Sequence, residues 1–272
     1  MMMDKAHFEI AVRKIVPFTD YVYLHLMGEP LLHPELPSFL EILKSNDLKC
    51  CLTTNGTLLD KRKDELIRAA DGIHKISISL QAQEANEAFG INAAGGSANV
   101  NGIGSRSLVT GEKYLRSCFE FALEAEKSTL IVLRLWNKGG LEENNGTILK
   151  IMEEYFPRPW KDHPLGYKIG EKTYLEFGDK FDWPDYNIED TAPANGRYYC
   201  YGLKDQIGIL VDGTVVPCCL DNNGRLGLGN IFREDLPDIL KNLRASSICE
   251  GFKNGIAAEE LCKKCGFAMR FQ

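Results

Sequence analysis

The sequence predicts an α/β chain built on a parallel sheet or an α/β barrel, followed by a small cysteine-rich hairpin and helix module. Three observations carry this. Apolar runs of strand and helix period alternate over most of the first 156 residues. Polar residues recur just past successive strands, and six of the nine cysteines crowd the last 73 residues of the chain. Alternation of this kind requires crossover helices between parallel strands and places functional residues at the C-terminal strand ends.

The elements follow in order. In HFEIAVRKIV, Phe8, Val12, Ile15 and Val16 share one helical face, and Pro17 ends the run because it lacks an N–H and restricts the residue before it. YVYLHL, from Tyr21 to Leu26, reads as a strand, LPSFLEILKSND as a helix and LKCCLTT as a second strand. LLDKRKDELIRAA reads as a helix, and IHKISISL as a strand ending near Ser79. The alternation pauses at about 84–110, where Gly, Ala, Asn and Ser dominate without period. That segment is an insertion, either functional or mobile. A helix from about Glu112 to Lys127, a strand TLIVLRLW and a helix near GTILKIMEEYF then resume the pattern. After Pro157 only KTYLEF reads as a strand, so the boundary falls near Gly178 and divides the chain into 1–178 and 179–272. Beyond it, QIGILVDGTVVPC is two β-rich runs joined by Asp212-Gly213, the signature of a type I′ hairpin turn, and EDLPDILKNL reads as a short helix.

Composition excludes several classes. Hydrophobic residues make up 44% and charged residues 26% of the 272, values of a packed globular protein rather than a disordered one. The net charge of −6 comes from dispersed acids, and no basic stripe invites nucleic acid. No window approaches the apolar length of a membrane span and the N-terminus has no secretory pattern, so a cytoplasmic protein without a membrane partner is expected. An odd number of cysteines in such a compartment argues for reduced thiols.

The cysteine tail is the more specific chemical signal. Cys200 is followed after twelve residues by Gly213 and after four more by Cys218, and Cys262-Lys-Lys-Cys265 forms a tight knuckle. A hairpin can hold one pair of thiolates and a knuckle the other, which suits either a Cys₄ zinc site or an iron–sulfur cluster. The alternative is that these are small buried hydrophobes, but a CxxC among Lys and Gly is poor core material. Cys219 and Cys249 are bystanders or substitutes, and Cys219 can stand in for Cys218.

The second signal is the set of strand ends. MGEP follows the first strand, TTNG the second, SISL the third and LRLWN the last of the series. Glu29, Asn55, Ser79 and Arg134 would then meet on one rim: a carboxylate for an amine, a guanidinium for a carboxylate, and an amide and a hydroxyl for a sugar or backbone. Singly, each has a plainer explanation as a helix cap, a turn residue, a solvated hydroxyl or a surface ion pair. Together they describe a pocket for a zwitterionic, ribose-bearing ligand.

With these residues in view the chain resembles the radical S-adenosylmethionine superfamily with a C-terminal SPASM or twitch auxiliary-cluster domain. The carrying stretches are HLMGEPLLHPEL, TTNGTLL, KISISL, LRLWN and CYGLKDQIGILVDGTVVPCC with CKKCGFAMRF. The resemblance implies a partial (β/α)₆ TIM-like barrel that binds S-adenosylmethionine at its strand ends, and an enzyme modifying a peptide, protein or small metabolite by radical chemistry. It implies that Gly28, Glu29 and Pro30 correspond to the family's GGE motif, with Glu29 on the methionine amine, Ser79 near the ribose and Arg134 near the methionine carboxylate. It further implies an auxiliary [4Fe–4S] cluster on Cys200, Cys218, Cys262 and Cys265, and an electron donor such as flavodoxin or ferredoxin.

Two departures qualify the likeness. Met27 stands where the family has the first glycine of GGE. No three cysteines have the CxxxCxxC spacing that would bind the family's catalytic [4Fe–4S] cluster, so the chain as written should not generate the radical. On this reading the chain begins in the first barrel helix and lacks the first strand and cluster loop. A late start, a truncated or split gene, or a natural variant that only binds would each explain this, and Met1-Met2-Met3 fits the first two. Two rivals stay open: a zinc-bound structural or partner-binding protein with a vestigial pocket, and a barrel enzyme using no radical.

Overall fold

The computed structural model describes residues 2–26, 28–80, 111–137, 145–179, 183–187, 189, 193 and 196–271. The insertion at about 84–110 and most of DKFDWPDYN's first half lie outside the described residues. In chain order the first elements are α1 (Lys5–Ile15), β1 (Tyr21–Leu24), α2 (Leu36–Ser45), β2 (Lys49–Thr54), α3 (Leu59–Arg68) and β3 (Ile73–Ser79). Then come α4 (Gly111–Ala125), β4 (Leu130–Asn137), α5 (Gly146–Glu153), β5 (Lys161–His163), β6 (Gly166–Lys168) and β7 (Thr173–Asp179). The tail holds β8 (Gly208–Ile209), β9 (Thr214–Val216), β10 (Gly229–Asn230), α6 (Leu236–Leu240), α7 (Leu243–Lys253) and α8 (Glu260–Lys263). Contacts divide the chain into two compact units, one of Tyr21–Leu24 and Glu29–Lys180, the other of Met1–Asp20, His25–Gly28 and Phe181–Gln272.

The first unit is a seven-stranded sheet in the order β1-β2-β3-β4-β7-β6-β5. β1 through β4 and β7 pair in parallel, and β7, β6 and β5 close the far side as an antiparallel meander. The sheet is open among the described residues, with β1 at one edge, so the expected α/β architecture is present as a partial barrel and not a closed one. Strand alternation sorts its two faces. On one face Cys50, Leu52, Ile76, Ile78, Ile131, Leu133, Leu135 and Leu175 are all fully buried. Ile78 and Gly56 lie against Tyr114 and Cys118 of α4 on that side. Each such apolar side chain contributes roughly 1.5–3 kcal/mol on burial, and together they form the apolar half of each strand's two-residue period. The opposite face carries Tyr23, Cys51, Thr53, Lys75, Ser77, Ser79, Arg134, Tyr174 and Glu176, joined across the strands by the register Thr53↔Ser77, Ser79↔Arg134 and Arg134↔Glu176.

The second unit joins a three-stranded antiparallel sheet, ordered β10-β9-β8, to α1, α6 and α7. Ala11, Val215, Leu228, Ile231, Leu236, Ile239, Ala245 and Ile248 form one core, with Ile15 packed against it. α1, which the sequence reading grouped with the barrel, thus shares a core with the tail. Asp4 caps it by accepting from the His7 amide at 2.9 Å, and Lys14 Nζ donates to the Glu234 carbonyl at 2.7 Å.

The hairpin differs from the expected type I′ turn. Gly213 has φ +85° but Asp212 is not in the left-handed region, and Gly213 N donates back to the Leu210 carbonyl at 2.9 Å. The turn is therefore an ordinary one over Leu210–Gly213 that ends in a left-handed glycine. Asp212 instead accepts from the Thr214 amide at 3.0 Å. A side chain at Gly213 would also run into the Phe232 ring, which gives a physical reason for glycine at that place in the C-x₁₂-G-x₄-C spacing.

Several short elements have no counterpart in the sequence reading, among them the β5–β6 hairpin, β10, α7 and α8. The β5–β6 hairpin consists of two three-residue strands with charged and polar side chains, too short to show a period. α7 begins with Leu243, which is 91% exposed, and buries only Ala245 and Ile248, so its apolar stripe is thin. Its local signal was Asn242, whose side chain accepts from the Ala245 amide at 2.8 Å as an N-cap. Among the described residues no helix is long and apolar enough to cross a membrane.

Candidate functional site

Four strand ends form the rim of the parallel sheet. Glu29 follows β1 in extended conformation and starts a single 3₁₀ turn, Pro30–Leu32, in which Pro30 occupies a first-turn position that needs no N–H. The Glu29 carboxylate does cap that turn, accepting from Leu31 N at 3.1 Å. It does more than cap. Thr54 Oγ1 donates to Glu29 Oε1 at 2.7 Å, and Asn55 N donates to Oε2 at 2.7 Å, so the carboxylate ties the end of β1 to the end of β2. Thr54 is buried, and its Oγ1 accepts in turn from Gly56 N at 3.0 Å. The left-handed φ of Gly56, +77°, lets the chain turn away here with no side chain to strike Cys118. Gly28, with φ +83°, precedes the site and groups with the second unit.

The rim continues through residues that the sequence did not single out. Tyr114, from the first turn of α4, donates its hydroxyl to the Asn55 carbonyl at 2.6 Å and lies 3.3 Å from the Ser79 carbonyl. Burial, with Cys118 and Glu29 nearby, pushes the Tyr114 phenol well up, so it stays protonated and able to donate. The Asn55 side chain accepts from Thr57 N at 2.9 Å and from the Thr57 hydroxyl at 2.7 Å, a self-closed turn. Ser79 and Arg134 are register partners, and Leu80 N donates to the Arg134 carbonyl at 2.9 Å. Arg134 Nε donates to Glu176 Oε2 at 3.3 Å. A connected path therefore runs from Glu29 through Asn55, Tyr114 and Ser79 to Arg134 and Glu176. Tyr114 lay beyond an aperiodic segment and could not be paired with the rim from sequence. Glu176 in KTYLEF was within reach, had the row of strand ends been extended by one strand.

What this rim can hold follows from its donors and acceptors. A carboxylate offers about four lone-pair sites, and three at Glu29 are in use, which leaves Oε2 able to accept from an ammonium. Among the described residues Arg134 spends only Nε, which leaves its planar fork able to face a carboxylate.

In the second unit, Cys200, Cys218, Cys219, Cys262 and Cys265 come together. Burial pushes the Cys218 thiol up to about 12, with Cys200 and Cys219 adding to the effect. Cys262 is pushed up by burial and by Cys218, Cys200 and Cys265. Burial also raises Cys219 and Cys265, and Cys200 adds to both. Gly202 N donates to Cys200 Sγ at 3.3 Å, the kind of amide-to-sulfur bond that stabilises a thiolate ligand. Cys265 packs in a small apolar cluster with Leu220, Ala268, Cys218, Cys219 and Phe267. Among the described residues no three His, Cys, Asp or Glu side chains close on a single metal ion. An all-sulfur set in an apolar pocket, near enough for mutual repulsion, fits a polynuclear cluster whose ligands attach to different irons.

Comparison with known proteins bears on both sites. Residues 200–266 match the SPASM family, described as an iron–sulfur cluster-binding domain. A probable GTP 3′,8-cyclase of Methanococcus maripaludis (strain C7) is 25% identical over 221 residues, 76% of this chain and 71% of the relative. An uncharacterised protein of Treponema pallidum is 27% identical over 247 residues, 88% of this chain and 63% of the relative. The crystal structure of native anSMEcpe with bound AdoMet and Kp18Cys peptide superposes with a TM-score of 0.57 at 15% identity, covering 97% of this chain and 81% of that one. The chain therefore carries a SPASM-type domain in its cysteine-rich tail, and in sequence and fold it is similar to radical S-adenosylmethionine proteins that bear one.

Proposed function

We propose that the chain binds S-adenosylmethionine on the rim of the parallel sheet and an auxiliary [4Fe–4S] cluster in its tail. It would serve there in an enzyme that modifies a peptide, protein or small metabolite by radical chemistry. The observation that carries the reading is the connected rim: Glu29, Asn55, Ser79 and Arg134 are linked through hydrogen bonds to the Asn55 and Ser79 backbone and through strand register. Glu29 would accept from the methionine ammonium, with Gly28 and Pro30 shaping its approach. Arg134 would face the methionine carboxylate, and Asn55 and Ser79 would lie along the ribose. When bound, S-adenosylmethionine in this family supplies the means to take a hydrogen atom from an unactivated carbon. The chain's own residues bind and orient it.

Cys200, Cys218, Cys262 and Cys265 would hold the auxiliary cluster, with Cys219 adjacent. The names of related proteins support substrates of either kind, since one is a nucleotide cyclase and another was crystallised with a peptide. The 272 residues contain no CxxxCxxC, so the chain by itself should bind the cofactor without cleaving it. An electron donor of the flavodoxin or ferredoxin type and a cytoplasmic setting complete the proposal.

Calorimetric titration with S-adenosylmethionine tests the first site. Binding that weakens at least tenfold in Glu29→Ala supports it, the size expected for loss of one charge-assisted contact, and equal binding by the variant refutes it. Anaerobic purification with iron, sulfide and zinc analysis tests the second. A brown protein whose colour is lost in Cys262→Ala supports the cluster, whereas a colourless protein with stoichiometric zinc overturns it.

A further inference from the structure

The sheet face opposite the helix-packed one is chemically lopsided. Strand register places Lys49, Lys75, Arg134, Lys161 and Lys168 on it, and among the described strand residues its one carboxylate is Glu176. Glu176 is already bonded to Arg134. Among the described residues no carboxylate lies within ion-pair distance of Lys49, Lys75, Lys161 or Lys168. Three of the lysines are instead set against tyrosines, Lys49 and Lys168 across adjacent strands and Lys75 across the intervening β2. Lys49 lies 5.0 Å from the Tyr21 ring, Lys75 lies 6.0 Å from Tyr23, and Lys168 lies 5.7 Å from Tyr174.

A solvated lysine face explains exposed Lys49 and Lys161, but it does not explain Lys75 and Lys168, which are both half-buried. Lys75 also acts electrostatically on Cys51, and Arg134 on Tyr23, so these groups converge below the rim. Burial raises the Cys51 thiol, so it supplies no counter-charge. The face is thus cationic and tyrosine-lined two to four strand residues below Ser79 and Arg134, at about 3.3 Å per residue.

From this we infer that the substrate carries a multiply charged anionic group, phosphate or clustered carboxylates. Lys75 and Lys168 would hold that group on the sheet floor while its reacting end lies at the rim. The inference rests on the rim being the cofactor site, but its test does not. Inorganic triphosphate and citrate, each titrated calorimetrically into the full chain at low and high salt, serve as probes for the two kinds of anion. The expected result is saturable binding of at least one probe. Lys75→Gln and Lys168→Gln should each weaken it roughly tenfold, with recovery in Lys75→Arg. S-adenosylmethionine affinity should be unchanged in Lys75→Gln. Lys63→Gln, which removes the same charge from α3, should leave probe binding intact.

Absence of binding by both probes would overturn the inference. So would equal weakening in Lys63→Gln, which would mean diffuse attraction and no site. Loss of S-adenosylmethionine binding in Glu29→Ala with probe binding retained would separate the two sites.

Discussion

Replacing Glu29 by alanine removes the acceptor for three hydrogen bonds at once, from Leu31 N, the Thr54 hydroxyl and Asn55 N. The three losses are unequal. Asn55 is exposed, so water can replace the carboxylate at its amide at small cost. Leu31 and Thr54 are 1% and 2% exposed, so their donors would be stranded. A stranded buried donor costs about 1–3 kcal/mol; at about 1–2 kcal/mol each, in the lower part of that range, the two put the local loss at roughly 2–4 kcal/mol. The two-unit construction makes a single unfolding midpoint ambiguous, so native-state amide exchange is the better assay. Leu31 and Asn55 amides should exchange roughly thirtyfold to several hundredfold faster in Glu29→Ala, while amides in the centre of β3 change little. Glu29→Gln keeps one carbonyl oxygen and should fall between, with Asn55 affected more than Leu31. If both amides exchange at wild-type rates in Glu29→Ala, the carboxylate is not holding the strand ends together and the argument for a preorganised rim fails.

Other consequences can be measured independently. Tyr114→Phe removes the donor to the Asn55 carbonyl and should cost about 0.5–1.5 kcal/mol, with a several-fold loss of S-adenosylmethionine affinity by calorimetry; unchanged affinity would remove Tyr114 from the site. Gly213→Ala forces an L residue into φ +85° beside Phe232. The backbone alone costs about 1–2 kcal/mol, so urea unfolding of the tail should shift downward and iron content on anaerobic purification should fall. Burial pushes the Cys118 thiol in the first unit up to about 12 from 9.0. A folded pKa above the unfolded one gives stability that is full below about pH 9 and is lost between pH 9 and 12 as the unfolded thiol ionises first. By pH 10 the loss from this thiol is about 1.4 kcal/mol. Unfolding free energies at pH 7 and pH 10 should therefore differ by about that much less in Cys118→Ala than in the wild type, and an identical pH dependence would contradict the burial of this thiol.

The first unit was legible because buried parallel strands and their helices impose strong periods, and because polar residues after an apolar run mark a strand end. Glu29, Asn55, Ser79 and Arg134 could be listed in this way. The plainer readings were also true in part: Glu29 does cap a turn, Asn55 does close one, and Arg134 does pair with Glu176. What no spacing revealed is that these local roles share atoms. Thr54 joins Glu29 to the β2 turn, and Tyr114 arrives from a helix 59 residues beyond Asn55.

The sequence by itself determined the alternation of the first unit, the hairpin glycine and the spacing of the tail thiols, because each is set by neighbours within about a dozen residues. Only the tertiary structure decided the rest. Register and sheet order, set by packing between distant segments, put five cations and one acid of the described strand residues on the same face. Burial, a property of the whole fold, keeps Tyr114 a donor and draws Cys219 in among the other thiols. And the apolar stripe of α1 took its partner from a core formed by residues more than 200 positions away, which no local pattern could name.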